Sequence, residues 1–160
     1  MTTIVYRDGI IATDSRNVMN DMVLSNSSKK MIRRGDVLFF LSGASCDFED
    51  SISLYLTGER ADKHSDRKLE MSGLVYDSGI IYLIGFDSKQ NIWKDAIPYS
   101  QPAAIGTGSP HALTAFDMGA DVVKAVEMAI LRDINSGGAI VTYDLEKITG
   151  VLVLCEGEHA

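Results

Sequence analysis

This 160-residue sequence predicts an α+β layered domain. Three observations carry that expectation: β-hairpin signals at both ends, apolar runs of strand length between them, and two helical segments grouped late in the chain. The length and a hydrophobic content of 46% suit one domain spanning residues 1–160 with a substantial core.

Thr3 to Arg7 and Ile10 to Asp14 are rich in β-branched residues and flank Asp8-Gly9, the strongest short-range hairpin signal. Two registers follow. A two-residue turn sets Thr3 opposite Asp14 and Thr2 opposite Ser15; a three-residue turn with a bulge at Gly9 sets Thr2 opposite Asp14. Val37 to Leu41 reads as a buried strand running into Ser42-Gly43, and Asp47 to Leu56 has helical spacing. The polar stretch from Gly58 to Lys68 reads as a loop. Gly79 to Phe86 and Ile92 to Ile97 form a second hairpin around residues 87–91. Ala103 to Ile105 leads through Gly106-Thr107-Gly108-Ser109-Pro110 into a helix start. His111 to Met118 and Ala120 to Ile134, separated by Gly119, carry Ala, Val, Met and Leu at helical intervals and should pack on the sheet. Ala139 to Asp144 and Ile148 to Cys155 close the fold as a hairpin around Leu145-Glu146-Lys147.

Composition narrows the function. With 15 Lys and Arg against 22 Asp and Glu, the net charge of −7 opposes nucleic-acid binding. Cys46 and Cys155 sit in apolar company and read as buried, reduced thiols. His64, His111 and His159 lack metal-ligand spacing, so no metal is expected, and Gly106 with Gly108 makes no phosphate-binding fingerprint. With no signal-peptide pattern and no apolar run of about 20 residues, the expectation is a soluble, cytoplasmic protein without a membrane partner.

Thr2 and Thr3 follow Met1. If Met1 is removed, Thr2 holds a nucleophilic hydroxyl and an amine of unperturbed pKa about 8 in one residue. Read together, Thr2-Thr3-Ile4-Val5, Gly9 to Arg16, Lys29-Lys30-Met31, Leu41-Ser42-Gly43-Ala44, Ile105 to Gly108 and Arg132 to Gly138 resemble, in order, the signatures of proteasome β subunits. The bacterial HslV peptidase of the same family is similar over the first half.

The resemblance implies a four-layer αββα sandwich of two antiparallel sheets flanked by helices. It also implies a threonine peptidase that needs no cofactor. In that likeness Thr2 is the nucleophile, Lys30 the ammonium that stabilises the alkoxide, and Asp14 the carboxylate that holds Lys30. Asp133 and Ser136 match the pair that orients the terminal amine. Thr107 stands where the family usually has serine, and Gly43 matches the glycine whose N–H meets the oxyanion. Asn17, Ser28, Leu41, Ser45 and Glu49 match the specificity pocket, with Leu41 favouring an apolar and Glu49 a basic residue. An extended substrate would add as a strand between the Val18 region and Gly43 to Ser45. The resemblance further implies a homo-oligomeric ring acting on peptides or unfolded proteins, with an ATP-dependent unfoldase as partner.

Two departures stand out. The first hairpin is shorter than the family's, and the short polar stretch from Gly58 to Gly73 leaves the second helix of one layer truncated or missing. Two other readings stay open: an inactive relative serving as a structural or partner-binding subunit, and an amidase acting on a small molecule with the same nucleophile.

Overall fold

The computed structural model describes residues 2–148 and 156–159. Strands β1 (Ile4–Arg7) and β2 (Ile10–Thr13) are joined by Asp8 and Gly9, at φ 49° and 82°. Two positive φ angles in sequence make the turn whose twist suits a two-residue hairpin. Arg7 pairs with Ile10 and Ile4 with Thr13, which decides the register. Asp14 N–H donates to Thr3 O at 3.1 Å, so Thr3 lies across from Asp14.

A small separate hairpin follows, β3 (Asn17–Met19) and β4 (Met22–Ser25). Next come β5 (Met31–Arg34) and β6 (Val37–Gly43), then helix α1 (Phe48–Thr57), then β7 (Met71–Asp77), β8 (Ile80–Phe86) and β9 (Ile92–Ala96). These strands form one antiparallel sheet in chain order, β5-β6-β7-β8-β9. The chain then returns to the first sheet through β10 (Ala103–Ile105), crosses it with α2 (Ser109–Asp117) and α3 (Val122–Arg132), and finishes with β11 (Ile140–Asp144) and β12 (Glu156–His159). That sheet has the order β10-β1-β2-β11-β12.

Alternation along the strands builds the layers, because successive side chains leave a strand on opposite faces. Ile4, Tyr6 and Ile11 turn toward the second sheet, where they pack with Leu38, Phe40, Leu74 and Ile81. The residues between them, Val5 and Ala12, face α2 and α3 and meet Ala112, Phe116, Val126 and Ala129. On the second sheet Phe39, Leu41, Val75 and Ile84 face the other way, onto Ile52 of α1. The result is an α+β sandwich of α1, sheet, sheet and the α2–α3 pair. Among the described residues, no helix is long and apolar enough to cross a membrane.

Residues 58–70 contain no helix, so among the described residues the α1 layer holds a single α-helix. The hairpin β3–β4 and strands β5 and β7 did not stand out in the sequence. Met19, Met22, Val23 and Leu24 are apolar but exposed, so they lack the alternation of a half-buried strand, and β7 starts at Met71, within the short polar stretch from Gly58 to Gly73. Leu145–Lys147 forms a 3₁₀ turn, capped by Asp144, which accepts from Glu146 N at 3.2 Å. The strand pairing with β11 is β12, later than expected; most of the expected closing strand, 149–155, lies outside the described residues, as do Met1 and Cys155. Helix α3 begins at Val122, because the Asp121 side chain caps it by accepting from Lys124 N at 2.8 Å.

Phe40 is fully buried between the sheets, with its ring edge-on to Tyr143 at 5.2 Å. Phe40→Ala is expected to lower unfolding stability by about 3–5 kcal/mol in a denaturant titration, the usual cost of emptying an aromatic site in a core.

Candidate active site

The first hairpin delivers Thr2 and Thr3 into the interior. Both are buried, with Asp14 fully so. The Thr2 hydroxyl donates to Asp14 Oδ1, which also accepts from Thr3 N at 3.1 Å. Asp14 Oδ2 accepts from Arg16 N at 3.3 Å and Gly137 N at 3.0 Å. Both oxygens are thus hydrogen-bonded, the condition for keeping a carboxylate out of water.

A second carboxylate organises the next residue. Asp133 Oδ2 accepts from Ser136 Oγ and from Thr107 Oγ1, each at 2.6 Å, while Oδ1 accepts from Asn135 N at 3.1 Å. Burial alone would raise the Asp133 pKa; the bonds from Ser136, Thr107 and Asn135, with a smaller contribution from His111, outweigh it and hold the carboxyl below the ordinary carboxylate range. Ser136 Oγ lies 2.7 Å from Thr3 Oγ1. The three matched residues Thr107, Asp133 and Ser136 therefore form one network, and it reaches Thr3. The resemblance singles out no role for Thr3; the signal that could have found it is register, since the two-residue turn faces Thr3 with Asp14.

Glycines admit this packing. A Cβ on Gly106 would fall 2.0 Å from Thr2 O, and one on Gly108 would fall 1.9 Å from Thr3 Oγ1. No side chain fits at either place, so the Gly106-Thr107-Gly108 turn can close over the threonines only as written.

Lys30 enters from the end of the loop before β5. Its ammonium donates to the carbonyl of Arg16. Burial lowers its pKa, and the field of Asp14 opposes part of that shift. Asp14 therefore acts on Lys30 through space, while its hydrogen bonds go to the Thr2 hydroxyl and to the backbone of Thr3, Arg16 and Gly137. Arg16 itself donates to Asn26 Oδ1 at 2.9 Å and to Ile134 O at 3.1 Å. Gly43 ends β6 at φ 130°, is exposed, and lines the same pocket as Thr2.

A pocket of about 340 Å³ opens at Thr2. Asn17, Ser28, Leu41 and Ser45 line it as expected, joined by Lys30, Ser42 and Gly43. Ile32 and Phe48 add apolar walls that motif matching did not name. Val18 lines the adjoining cleft instead. Glu49 is absent from the lining; it is an exposed residue whose carboxylate takes the Arg34 guanidinium. Cys46 is exposed, not buried, and its thiol meets Arg67 Nη2 at 2.9 Å, because Arg67 crosses to the buried carboxylate of Asp47. Among the described residues, no group of His, Cys, Asp and Glu is placed to hold a metal ion.

No family model matches the chain, and no curated protein matches it. A solved structure does: Thiobacillus denitrificans BPH in complex with epoxomicin, with a TM-score of 0.55 and 22% identity over 89% of this chain and 96% of that one. The two chains share a fold.

The depressed pKa of Asp133 carries a sign. A carboxyl more acidic in the folded state contributes stability that is present above the unfolded value, about pH 4, and is lost as pH falls through the lower folded value. Asp133→Asn should therefore flatten the acid limb of the stability curve below about pH 4, measured by thermal unfolding across pH.

Proposed function

We propose that, once Met1 is removed, this chain is a proteasome-like N-terminal threonine peptidase. The observation that carries the reading is the Thr2 hydroxyl, buried on Asp14 at the mouth of a pocket that also holds Lys30. The shared fold with a protein that forms a complex with epoxomicin supports it.

The steps need no cofactor. The free amine of Thr2 takes the proton of its own hydroxyl, directly or through a water, and the alkoxide attacks the substrate carbonyl carbon. Lys30 supplies the cation that stabilises the alkoxide and keeps the neighbouring amine neutral. The N–H of Gly43 donates to the oxyanion of the tetrahedral intermediate. Collapse breaks the C–N bond, the leaving amine takes the proton from the Thr2 ammonium, and an ester remains on Thr2. Water, deprotonated by the same amine, then hydrolyses the ester. Asp133, Ser136 and Thr107 position Thr2 through Thr3.

The pocket favours an apolar side chain before the cut. Ile32, Leu41 and Phe48 form its apolar walls, and Glu49, the one residue that argued for a basic preference, is engaged by Arg34 outside it. A homo-oligomeric ring receiving unfolded chains from an ATP-dependent unfoldase belongs to the same proposal. Exposed Met118, Leu131 and Ile134 on the helical layer offer apolar surface for association.

Intact-mass analysis tests this with epoxomicin or an electrophilic peptide boronate or vinyl sulfone. The expected result is a chain lacking Met1 that gains one adduct on Thr2, with none on Thr2→Ala. Lys30→Ala should slow adduct formation by about 10²–10³, the loss typical of one preorganised electrostatic donor. A chain that has lost Met1 and still takes no adduct sinks the hydrolase and favours the structural subunit.

A further inference from the structure

The space beyond Gly43 is larger than the pocket and ends on an aromatic side chain. It encloses about 1040 Å³ and shares Asn17, Ser42, Gly43 and Ser45 with the pocket at Thr2. Beyond that common wall the two spaces are lined by different strands of the second sheet. The pocket takes Ile32 from β5, whereas the cleft takes Met71 from β7, Leu83 from β8 and Trp93 from β9. Strand β6, which carries Gly43, lies between β5 and β7 in the order β5-β6-β7-β8-β9. Ile32 and Leu41 of the pocket face α1, whereas Leu83 of the cleft packs toward the first sheet, so the two spaces leave their shared rim on opposite faces of the second sheet, and a polypeptide whose reacting carbonyl sits at Thr2 has room on both sides of the cut.

The far end is built for an apolar guest. Trp93 pairs with Gly85 across β8 and β9, and a Cβ at Gly85 would lie 2.6 Å from the Trp93 ring. The missing side chain lets the indole settle on the sheet beside Leu83, while 39% of the residue stays exposed. A part-exposed tryptophan in a concave, apolar setting is the kind of surface that carries binding energy. The opposite wall is Ala104 and Ile105 of β10, the outer strand of the first sheet. An outer strand can accept an extended peptide by backbone pairing.

We infer that this cleft is the leaving-side subsite of the proposed peptidase and selects polypeptides with an apolar, preferably aromatic, residue beyond the cut, seated on Trp93 and Leu83. The inference rests on the hydrolase reading for the position of the cut, and on the cleft itself for the preference.

Trp93 is the only tryptophan in the chain, so its emission reports the site directly. The probes are capped alanine-based peptides with one Phe scanned through the sequence, and matching peptides with Asp. Titrated into the uncleaving Thr2→Ala chain, the best Phe peptide is expected to move Trp93 emission to shorter wavelength and to bind about tenfold tighter than its Asp counterpart. Trp93→Ala should abolish that preference in calorimetry, and Trp93→Phe should keep part of it. Peptide binding in calorimetry without an emission change, an unchanged preference in Trp93→Ala, or no binding of either peptide overturns the inference. Covalent capture of Thr2 separates the two readings: an adduct without the emission response removes the subsite alone, and an emission response without an adduct removes the hydrolase and with it the leaving-side assignment, leaving an apolar preference at Trp93.

Discussion

One buried carboxylate ties one end of this molecule together. Asp14 receives the Thr2 hydroxyl, the Thr3 amide, the Arg16 amide and the Gly137 amide, so three stretches of chain meet on two oxygens. Without water, each of those donors would be costly to leave unmet. The acid therefore specifies the geometry of everything near it: the start of β1, the end of β2, and the turn that follows α3. The neighbouring bonds reinforce it, with Ser15 N–H on Gly137 O at 2.9 Å and Ser15 Oγ on Ala139 O at 2.6 Å.

Around that anchor the two carboxylates divide the work. Asp14 serves Thr2 and sets the electrostatic field at Lys30, while Asp133 gathers the hydroxyls of Thr107 and Ser136 under Thr3. Burial pushes Lys30 and Asp133 in the directions that favour their neutral forms, and local bonding reverses the outcome only at Asp133. The site thus combines an acid held toward its ionised form with a cation whose charge burial makes harder to keep.

Much of the fold was legible because it is written in local chemistry. Asp8-Gly9 announces its turn, the Ala-rich spacing announces α2 and α3, and Pro110 marks a helix start. The positions of Thr2, Asp14, Lys30, Thr107, Asp133 and Ser136 could be named from ordered motifs, and the structure brings them to one end of the sandwich. What could not be read depends on partners distant in sequence. Glu49 looks like a specificity residue until Arg34 takes it, and Cys46 looks like a core thiol until Arg67 reaches past it to Asp47. The β3–β4 hairpin hides because its apolar residues do not alternate with burial. Thr3 looks redundant beside Thr2, and only the register shows that it meets Ser136.

That register has an evolutionary consequence. Paired residues of the first hairpin sum to 17, from Arg7 with Ile10 to Ile4 with Thr13. Removing one residue from each strand near the turn leaves Thr2, Thr3 and Asp14 facing as before, so the far end of the arm can lengthen or shorten freely. A single insertion in either strand slides the ladder by one step and brings a different threonine to the acid. Length change in matched pairs, one residue from each strand, therefore leaves the two threonines against the acid, whereas an unmatched change needs a bulge to absorb it.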